Sequence, residues 1–310
     1  LTRTPSPRII FDAFSKVRPT IIVAVPLIIE KIIRKSVMPK LQKPLMRIAT
    51  KIPGVNNIIY RNIRKRMLKA FGGNVVEIII GGAAFNPEID ALMHRIKFPY
   101  TVGYGATECA PIICYSDWSE AKVGSCGKPA LGMEVKILSN DPQNTPGEII
   151  VRGPNVMLGY YKNEAATADA FKEGYFRTGD YGKLDKNGVL YITGRKKNLI
   201  ILSNGKNVYP EEIENDLSSI PGVSEVIVYE GQSKRGLEHN AIVAEIFPDK
   251  DYMDNNGIDD IQSYFKHYID EYNKRTVPYK KVGLVKLRTT EFPKNTLRKI
   301  QRFKLNTTID

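Results

Sequence analysis

The sequence predicts a mixed fold, in which an α/β lobe is followed by a small β-rich, barrel-like subdomain and a separate α+β unit. Three observations support this: strand, glycine turn and helix recur early in the chain, short strands broken by Gly and Pro follow, and the last third returns to helices and alternating strands. The 310 residues suffice for about two domains with their own cores. A composition of 42% hydrophobic and 25% charged residues excludes a disordered chain.

In the α/β lobe, apolar runs at residues 20–25 and 75–80 predict two buried strands. The segment between them predicts helices rich in Lys and Arg, which continue to about residue 71. The glycine pair Gly81-Gly82 ends the second strand, and Pro87 opens a short amphipathic helix. Strand, turn and helix in this order are typical of α/β proteins.

The rest of the chain has a different pattern. From about residue 123, short strands at residues 134–138, 147–151 and 188–192 predict a small barrel or sandwich. Beyond Gly194, the pattern predicts an α+β unit. Its predicted elements are helices at residues 209–217 and 258–274 and strands at residues 223–229 and 241–247.

Hydropathy and cysteine content exclude several classes of protein. The longest apolar stretch, residues 21–29, is interrupted by Pro26 and is shorter than the roughly 20 residues that cross a bilayer. Cys109, Cys114 and Cys126 are an odd number without metal-ligand spacing, which argues against a disulfide framework or a zinc site and predicts a reducing, cytoplasmic setting. Because the chain begins without Met or a signal pattern, we expect it to be a piece of a longer protein.

The net charge of +13 is concentrated in one region. Residues 1–70 hold 16 Lys and Arg but only two acidic residues, Asp12 and Glu30, whereas the other 240 residues hold 30 basic and 31 acidic residues. The basic runs alternate with apolar residues in a helical rhythm, which favours solvated helix faces. A surface facing anionic lipid at the inner face of a membrane, or an acidic partner, is a second interpretation. Nucleic acid is the least favoured partner, because no basic motif interleaved with aromatic residues occurs.

Four segments carry residues suited to chemistry, and the first is Gly103-Tyr-Gly-Ala-Thr-Glu108 after a predicted strand. Its small residues allow close approach of a ligand to the backbone, and Tyr104 offers a ring for stacking. A hydroxyl at Thr107 suits a phosphate, and a carboxylate at Glu108 suits Mg²⁺, a hard cation that prefers oxygen. The alternative is an ordinary glycine-rich turn.

The other three segments each present one charged candidate. Asp180 follows a glycine at a turn, and a carboxylate there suits the paired hydroxyls of a ribose. Arg195 offers forked donors for phosphate or ribose oxygens. Lys299 lies in a basic tail. Taken singly, Asp180 is also compatible with an ordinary turn, Arg195 with a charged linker and Lys299 with a surface cation.

Together, in this order and spacing, the segments resemble the AMP-forming adenylating superfamily of acyl-CoA synthetases, luciferases and peptide-synthetase adenylation domains. The resemblance covers essentially the whole chain. It is carried by Gly81-Gly-Ala-Ala84, Gly103-Tyr-Gly-Ala-Thr-Glu108, Gly147-Glu-Ile-Ile-Val-Arg-Gly153 with Gly159-Tyr160, Thr178-Gly-Asp180, Gly194-Arg195, and Pro293-Lys294 with Lys299. Residues 17–26 and 203–214 are most similar to long-chain fatty acid CoA ligases.

The resemblance implies a role for individual residues at a nucleotide site. The implied adenine pocket consists of Gly82, Ala83, Gly103 and Tyr104, with Tyr104 stacking on the base. Thr107 would contact the α-phosphate and Glu108 would hold Mg²⁺. Asp180 would bind the ribose hydroxyls, and Arg195 the ribose or phosphate.

The resemblance also implies a mobile C-terminal unit. Lys197 would be the hinge about which this unit rotates, and Lys299 would be the catalytic cation of adenylation. Gly205, within residues 203–206, would belong to the surface that lines the approach of the CoA thiol. The implied domains are residues 1–122, the end of a parallel-sheet AMP-binding lobe, residues 123–196, the β-rich subdomain, and residues 197–310, the lid.

The implied activity is that of an ATP-dependent fatty acid–CoA ligase, which first adenylates a carboxylate and then forms a thioester with CoA. Its substrates would be ATP, CoA and a long-chain fatty acid, with AMP and pyrophosphate released. The family's pyrophosphate loop is not found between residues 1 and 81, and Arg298 replaces the usual Gly before the catalytic Lys. We therefore expect inefficient adenylation by this chain alone. The alternatives are an adenylating enzyme for aryl or amino acids and a non-catalytic piece that binds anionic membrane through residues 1–70.

Overall fold

Among the described residues, the protein combines a three-stranded parallel sheet with four other sheets of two to five strands, which confirms the predicted fold class. The computed structural model describes residues 7–202, 204–233, 236, 240–295 and 299–309, without the side chains of Pro7, Arg8 and Lys35. Two compact units are present: one extends to Thr178 and includes Gly182–Ile192, and the other comprises Gly179–Tyr181 and the chain from Thr193 onward. The expected domain boundaries at residues 122 and 196 stay predictions.

Helices are distributed over both units. Those of the described residues are α1 (Pro7–Val17), α2 (Pro26–Ser36), α3 (Met38–Leu41), α4 (Pro44–Ala49), α5 (Val55–Ala70), α6 (Pro87–Arg95), α7 (Glu164–Ala170), α8 (Pro210–Leu217), α9 (Lys250–Asn255) and α10 (Ile261–Arg275). Several begin with a proline in the first turn, where its missing N–H costs no helical hydrogen bond. No helix within the described ranges is both long enough and apolar enough to cross a membrane.

Strands are mostly short. They are β1 (Ile21–Ala24), β2 (Glu77–Ile80), β3 (Tyr100–Val102), β4 (Tyr104–Gly105), β5 (Ile112–Tyr115), β6 (Lys128–Pro129), β7 (Glu134–Leu138), β8 (Gly147–Arg152), β9 (Phe171–Lys172), β10 (Tyr175–Leu184), β11 (Leu190–Arg195), β12 (Ile200–Ile201), β13 (Asn207–Val208), β14 (Val223–Gly231), β15 (Ala241–Pro248) and β16 (Leu284–Leu287).

The parallel sheet of the first unit has the order β1-β2-β3. Both strands predicted in the α/β lobe are confirmed, but the expectation that the first is buried is wrong. Ile22 is buried, whereas Ile21 and Val23 are 60% and 78% exposed. Because side chains alternate across a strand, Ile22 joins the core formed with α2, while its neighbours point to the other face.

The β-rich region forms a sheet of order β11-β10-β8-β7, with β9 on β10, and a smaller sheet of order β4-β5-β6. The strands predicted at residues 134–138 and 147–151 are confirmed, and the third begins later, at Leu190. The β7–β8 pair is antiparallel and its turn ends at Gly147. A Cβ there would lie 2.2 Å from the carbonyl oxygen of Leu138, so the glycine permits this pairing.

In the second unit, β14 is antiparallel to β15, and β15 is parallel to β16. The predicted helices and strands are confirmed, although α10 begins at Ile261 because the Asp260 side chain caps it by accepting from the backbone N–H of Ser263 (2.9 Å). Helices α8 and α10 contribute buried Ile213 and Phe265 to the core.

A largely buried ion pair fixes the C-terminal segment of this unit to α8. The guanidinium of Arg302 donates to both carboxylate oxygens of Glu214, at 2.6 and 2.5 Å, and to the carbonyl of Val228 at 2.9 Å. Burial raises the pKa of Glu214 to about 7, and the positive charge of Arg302 opposes that rise. Arg302 therefore stabilises the negative charge of the Glu214 carboxylate.

Candidate functional site

The first group of predicted site residues lies at the carboxyl edge of the parallel sheet. The N–H of Gly103 donates to the carbonyl of Ile80 (2.8 Å), and the N–H of Gly81 donates to the carbonyl of Ala24 (3.1 Å). The loops after β2 and β3 therefore leave adjacent strands at the same edge. Gly82, Ala83 and Ala84 are exposed there. In open parallel sheets, ligands bind outside the carboxyl ends of the strands.

The turn after β3 depends on close backbone packing. A Cβ on Gly105 would lie 2.0 Å from the carbonyl oxygen of Pro111, which leaves room only for glycine. The N–H of Ala106 donates to the same carbonyl at 2.9 Å. This arrangement places Thr107 and Glu108 in a short 3-10 helix, Thr107–Cys109, where Thr107 is exposed and Glu108 is half-buried.

The Glu108 side chain is held by a distant segment of the same unit. The phenolic O–H of Tyr160 donates to Oε1 of Glu108 at 2.9 Å, and the N–H of Met157 donates to the Glu108 carbonyl at 2.7 Å. The side-chain amide of Asn155 donates to the carbonyls of Cys109 (2.6 Å) and Ile112 (2.8 Å). Sequence reasoning missed this role of Asn155, and it quoted Tyr160 only as part of a motif.

The hydrogen bond from Tyr160 holds the Glu108 carboxylate in one orientation. Burial, and then the neighbouring Glu108, raise the pKa of the Tyr160 phenol, which therefore stays a hydrogen-bond donor. Within the described ranges, Oε2 of Glu108 has no hydrogen-bond partner, and no cluster of three or more His, Cys, Asp or Glu suited to a metal occurs. A single oriented carboxylate beside an exposed hydroxyl fits Mg²⁺, which is commonly bound by one or two carboxylates plus substrate phosphates.

Tyr104, a predicted nucleotide contact, is buried. It is 7% exposed and packs in the hydrophobic cluster with Cys109 and Ile113. Of the two glycines beside it, Gly103 has free space around it, whereas Gly105 packs tightly against Pro111. Stacking of Tyr104 on adenine stays a prediction.

A second group of predicted residues lies in the second unit. Nε of Arg195 is 2.7 Å from Oδ1 of Asp180, whose side chain is buried while that of Arg195 is half exposed. The two candidates for ribose and phosphate binding are thus in contact with each other. Gly194, which precedes Arg195, has no room for a side chain, because a Cβ there would lie 2.7 Å from Oε2 of Glu211.

The predicted hinge and thiol-facing residues lie in exposed turns of the second unit. Lys197 is exposed in the 3-10 helix Lys196–Asn198. Gly205 is at the tip of the β12–β13 hairpin with a φ of +74°, where the N–H of Gly205 donates to the carbonyl of Leu202 at 2.8 Å. Ser203, which precedes Gly205 in the predicted thiol-facing surface, lies outside the described residues.

Lys299 lies in a tight turn near the C-terminus. Its N–H donates to Oδ1 of Asn295 (2.9 Å), and the N–H of Asn295 donates to the carbonyl of Lys299 (2.9 Å). The Lys299 side chain is exposed, and it forms no ion pair with any residue whose position is described. Its neighbour Lys294 differs, because it is buried against Glu225 and Glu291. Arg298 lies outside the described residues.

The predicted residues thus divide between the two units, and of those described in the second unit only Asp180 and Arg195 are shown in contact with each other. The first group contains Gly82, Ala83, Gly103, Tyr104, Thr107 and Glu108, and the second contains Asp180, Arg195, Lys197, Gly205 and Lys299. The family described as AMP-binding enzyme matches residues 1–161, just over half of the chain. The chain belongs to the AMP-binding enzyme family. The match includes every predicted residue of the first group.

Individual AMP-binding enzymes and related ligases are similar to this chain over part of their length. Long-chain-fatty-acid–CoA ligase FadD15 of Mycobacterium bovis is 36% identical over 173 residues, which is 56% of this chain and 27% of that protein. The 2-succinylbenzoate–CoA ligase of Bacillus licheniformis is 41% identical over 158 residues, 49% of this chain and 33% of that protein. The matched part therefore spans about a third or less of these relatives.

A solved structure extends the similarity to the second unit. The o-succinylbenzoate CoA synthetase (MenE) of Bacillus subtilis, in complex with the acyl-adenylate intermediate OSB-AMP, aligns with a TM-score of 0.73 and 25% identity. The alignment covers 98% of this chain and 54% of that one. The chain thus spans about half the length of this AMP-binding enzyme.

Proposed function

We propose that the chain is the nucleotide-binding and C-terminal part of an ATP-dependent acid–CoA ligase that acts on fatty acids. The observation that carries the proposal is the oriented carboxylate of Glu108 at the edge of a parallel sheet, beside the exposed loop of Gly82 and Ala83. Membership of the AMP-binding enzyme family and the ligase relatives support the reaction class. The fatty acid is supported by FadD15 and by the long-chain pattern of residues 17–26 and 203–214.

In the first unit, each proposed role follows from the position of the residue. Gly82, Ala83 and Gly103 are small residues at the sheet edge, where adenine can approach the backbone, and Tyr104 provides the stacking ring. Thr107 donates its hydroxyl to the α-phosphate. Glu108 provides the carboxylate for Mg²⁺, which when bound neutralises phosphate charge.

In the second unit, Arg195 is proposed to act both on the nucleotide and on Asp180. Its ion pair with Asp180 orients that carboxylate, so that Asp180 accepts hydrogen bonds from two ribose hydroxyls. The remaining donors of Arg195 face ribose or phosphate oxygens.

Lys299 is proposed to stabilise the charge that develops when the acid carboxylate attacks the α-phosphate and negative charge shifts toward pyrophosphate. In the second step the CoA thiolate attacks the acyl carbonyl, the thioester bond forms, and the bond to AMP breaks. Lys197 is the proposed hinge, and Gly205 belongs to the surface facing the thiol. A mobile unit would let one site serve two reaction geometries.

Two measurements test the proposal. Calorimetric titration of this chain with AMP should show binding, and Glu108→Gln should leave that binding unchanged. Binding of ATP in the presence of Mg²⁺ should be weakened by Glu108→Gln. CoA consumption by the enzyme that contains this chain should be measured with palmitate, octanoate, 2-succinylbenzoate and indoleacetate. Fastest turnover with palmitate is expected.

The acid panel also separates the competing proposals. Turnover restricted to the aryl acids would favour an aryl–CoA ligase, which the 2-succinylbenzoate relative makes the second candidate. Transfer of the acyl group to an acceptor other than CoA would refute the ligase. No nucleotide binding by the chain would contradict the proposed site itself.

A further inference from the structure

One helical segment of the first unit packs against its core only near the two ends of the segment. Between residues 38 and 66, which include α3, α4 and most of α5, no side chain is buried. The backbone is nevertheless ordered by helical hydrogen bonds, including those from the N–H of Thr50 to Met46 (2.9 Å) and from Asn56 to Ile52 (3.1 Å). We call residues 38–66 the basic helical segment. Met38, Leu41, Tyr60 and Ile63, near its ends, pack partly buried against the core, whereas residues 42–58 add no side chain to that core.

Large apolar side chains are exposed along this segment. Leu45 is 82% exposed and Ile48 is 63% exposed, and both belong to α4. The other exposed large apolar side chains of the segment are Met46, Ile52, Val55 and Ile58. Leu45 and Ile48 are three residues apart in α4 and therefore share one face of that helix, and Ile52 follows in the loop between α4 and α5. Single exposed apolar residues are common, but a concentration of them marks an interaction surface.

The charge around these residues has one sign. Residues 31–76 contain twelve Lys and Arg and no Asp or Glu. The exposed cations of the basic helical segment are Lys40, Lys43, Arg47, Lys51, Arg61, Lys65 and Arg66. None of them forms a salt bridge with a residue in the described part of the chain. The apolar residues therefore lie within a field of uncompensated positive charge.

We propose that the basic helical segment docks on the surface of an anionic lipid bilayer. Leu45, Ile48 and Ile52 enter the headgroup region, while Lys43 and Arg47 lie beside lipid phosphates and carboxylates. Interfacial binding of this kind combines apolar burial with attraction to anionic lipid, and the segment supplies both. This surface is independent of the proposed ligase activity.

Charge complementarity selects this occupant over others. A nucleic acid would satisfy the cations but would leave Leu45 and Ile48 in water. A second copy of the chain would bring two strongly positive segments together, which is electrostatically unfavourable. A bilayer that contains anionic lipid satisfies both the cations and the apolar residues.

The test is cosedimentation of the chain with phosphatidylcholine vesicles that contain about one third phosphatidylserine, at about 0.1 M and 0.5 M NaCl. The wild-type chain should bind, more weakly at high salt, and should bind poorly to pure phosphatidylcholine. Two triple variants are compared with it, Lys43→Gln/Arg47→Gln/Lys51→Gln and Leu45→Gln/Ile48→Gln/Ile52→Gln. Each cation near a membrane surface is worth about fivefold in partitioning, so the first variant should lose on the order of a hundredfold.

A matched control removes three cations elsewhere, with Lys186→Gln/Lys250→Gln/Lys266→Gln, all of which are exposed. It should bind like wild type. Because the replaced side chains of the segment are not buried, all variants should keep the wild-type circular dichroism spectrum and melting temperature. Equal loss in the control variant would overturn the proposal, since it would assign binding to net charge alone.

Three other results would also overturn the proposal. They are absence of vesicle binding, tight binding to an oligonucleotide without binding to vesicles, and a dimer in solution that the Leu45→Gln/Ile48→Gln/Ile52→Gln variant abolishes.

Discussion

Substitution of Gly105 by alanine should destabilise the first unit through a backbone clash. The new Cβ would lie 2.0 Å from the carbonyl oxygen of Pro111 and 2.8 Å from its carbonyl carbon. Carbon and oxygen normally approach no closer than about 3.2 Å, so the β4–β5 pair must separate by about 1 Å. Overpacking against rigid backbone costs about 3 kcal/mol, which in a unit of this size lowers the melting temperature by roughly 6–12 °C.

Gly103→Ala is the matched control in the same turn. Its Cβ would meet nothing closer than 3.8 Å, the carbonyl oxygen of Cys114. We expect its free energy of unfolding to stay within about 1 kcal/mol of wild type, since the loss of backbone freedom in the unfolded chain is a small stabilising effect. Its AMP affinity should fall instead, because Gly103 is a proposed adenine contact.

The assay is urea unfolding followed by tryptophan fluorescence. The single tryptophan, Trp118, belongs to the first unit, where its backbone N–H donates to Oε1 of Glu77 at 3.0 Å. The fluorescence therefore reports unfolding of that unit. Gly105→Ala and Gly103→Ala with equal unfolding midpoints would refute the steric argument.

Three further predictions concern other contacts. Tyr160→Phe removes a hydrogen bond to the half-exposed carboxylate of Glu108, and it should lower the affinity for Mg²⁺-ATP about fivefold in calorimetric titrations. In the enzyme that contains this chain, Lys299→Ala should reduce acyl-adenylate formation by about a hundredfold or more, while thioester formation from preformed adenylate is retained in a coupled assay. Arg302→Gln leaves Glu214 buried without its ionic partner and should destabilise the second unit by about 3 kcal/mol in calorimetry.

Each of these predictions has a control or a contrary result. Tyr161→Phe, at an exposed neighbouring tyrosine, should leave Mg²⁺-ATP affinity unchanged. Equal loss of both half-reactions in Lys299→Ala would assign this lysine a different role. An Arg302→Gln chain as stable as Lys266→Gln, which alters only an exposed position, would mean that the ion pair does not hold the C-terminal segment.

Much of the fold was predictable because local patterns coincide with tertiary packing. The β2 strand and α6 carry strong local signals, an apolar run ending in glycines and a proline at the first helical turn. The burial of β1 was not predictable. The sequence of β1 is apolar at every position, and which face is covered depends on how α2 packs against the strand.

In the candidate site, too, local sequence predicts some features, and others depend on tertiary packing. Glycines such as Gly105 are visible in the sequence as a motif, and the steric reason for them appears only when Pro111 is brought opposite. The hydrogen bond from Tyr160 to Glu108 joins residues far apart in the chain, so no local spacing indicates it. The contact between Asp180 and Arg195 was equally hidden, because strands β10 and β11 bring them together.

The β1 strand at the end of the parallel sheet also affects how the purified chain behaves in solution. With Ile21 and Val23 exposed, this edge is a template on which a strand of another copy can add. Mutual repulsion between the positive first 70 residues keeps copies apart in dilute buffer. Concentrated salt shortens the range of that repulsion to about 3 Å, so copies should then associate through this edge. The turbidity of the solution should therefore rise with ionic strength.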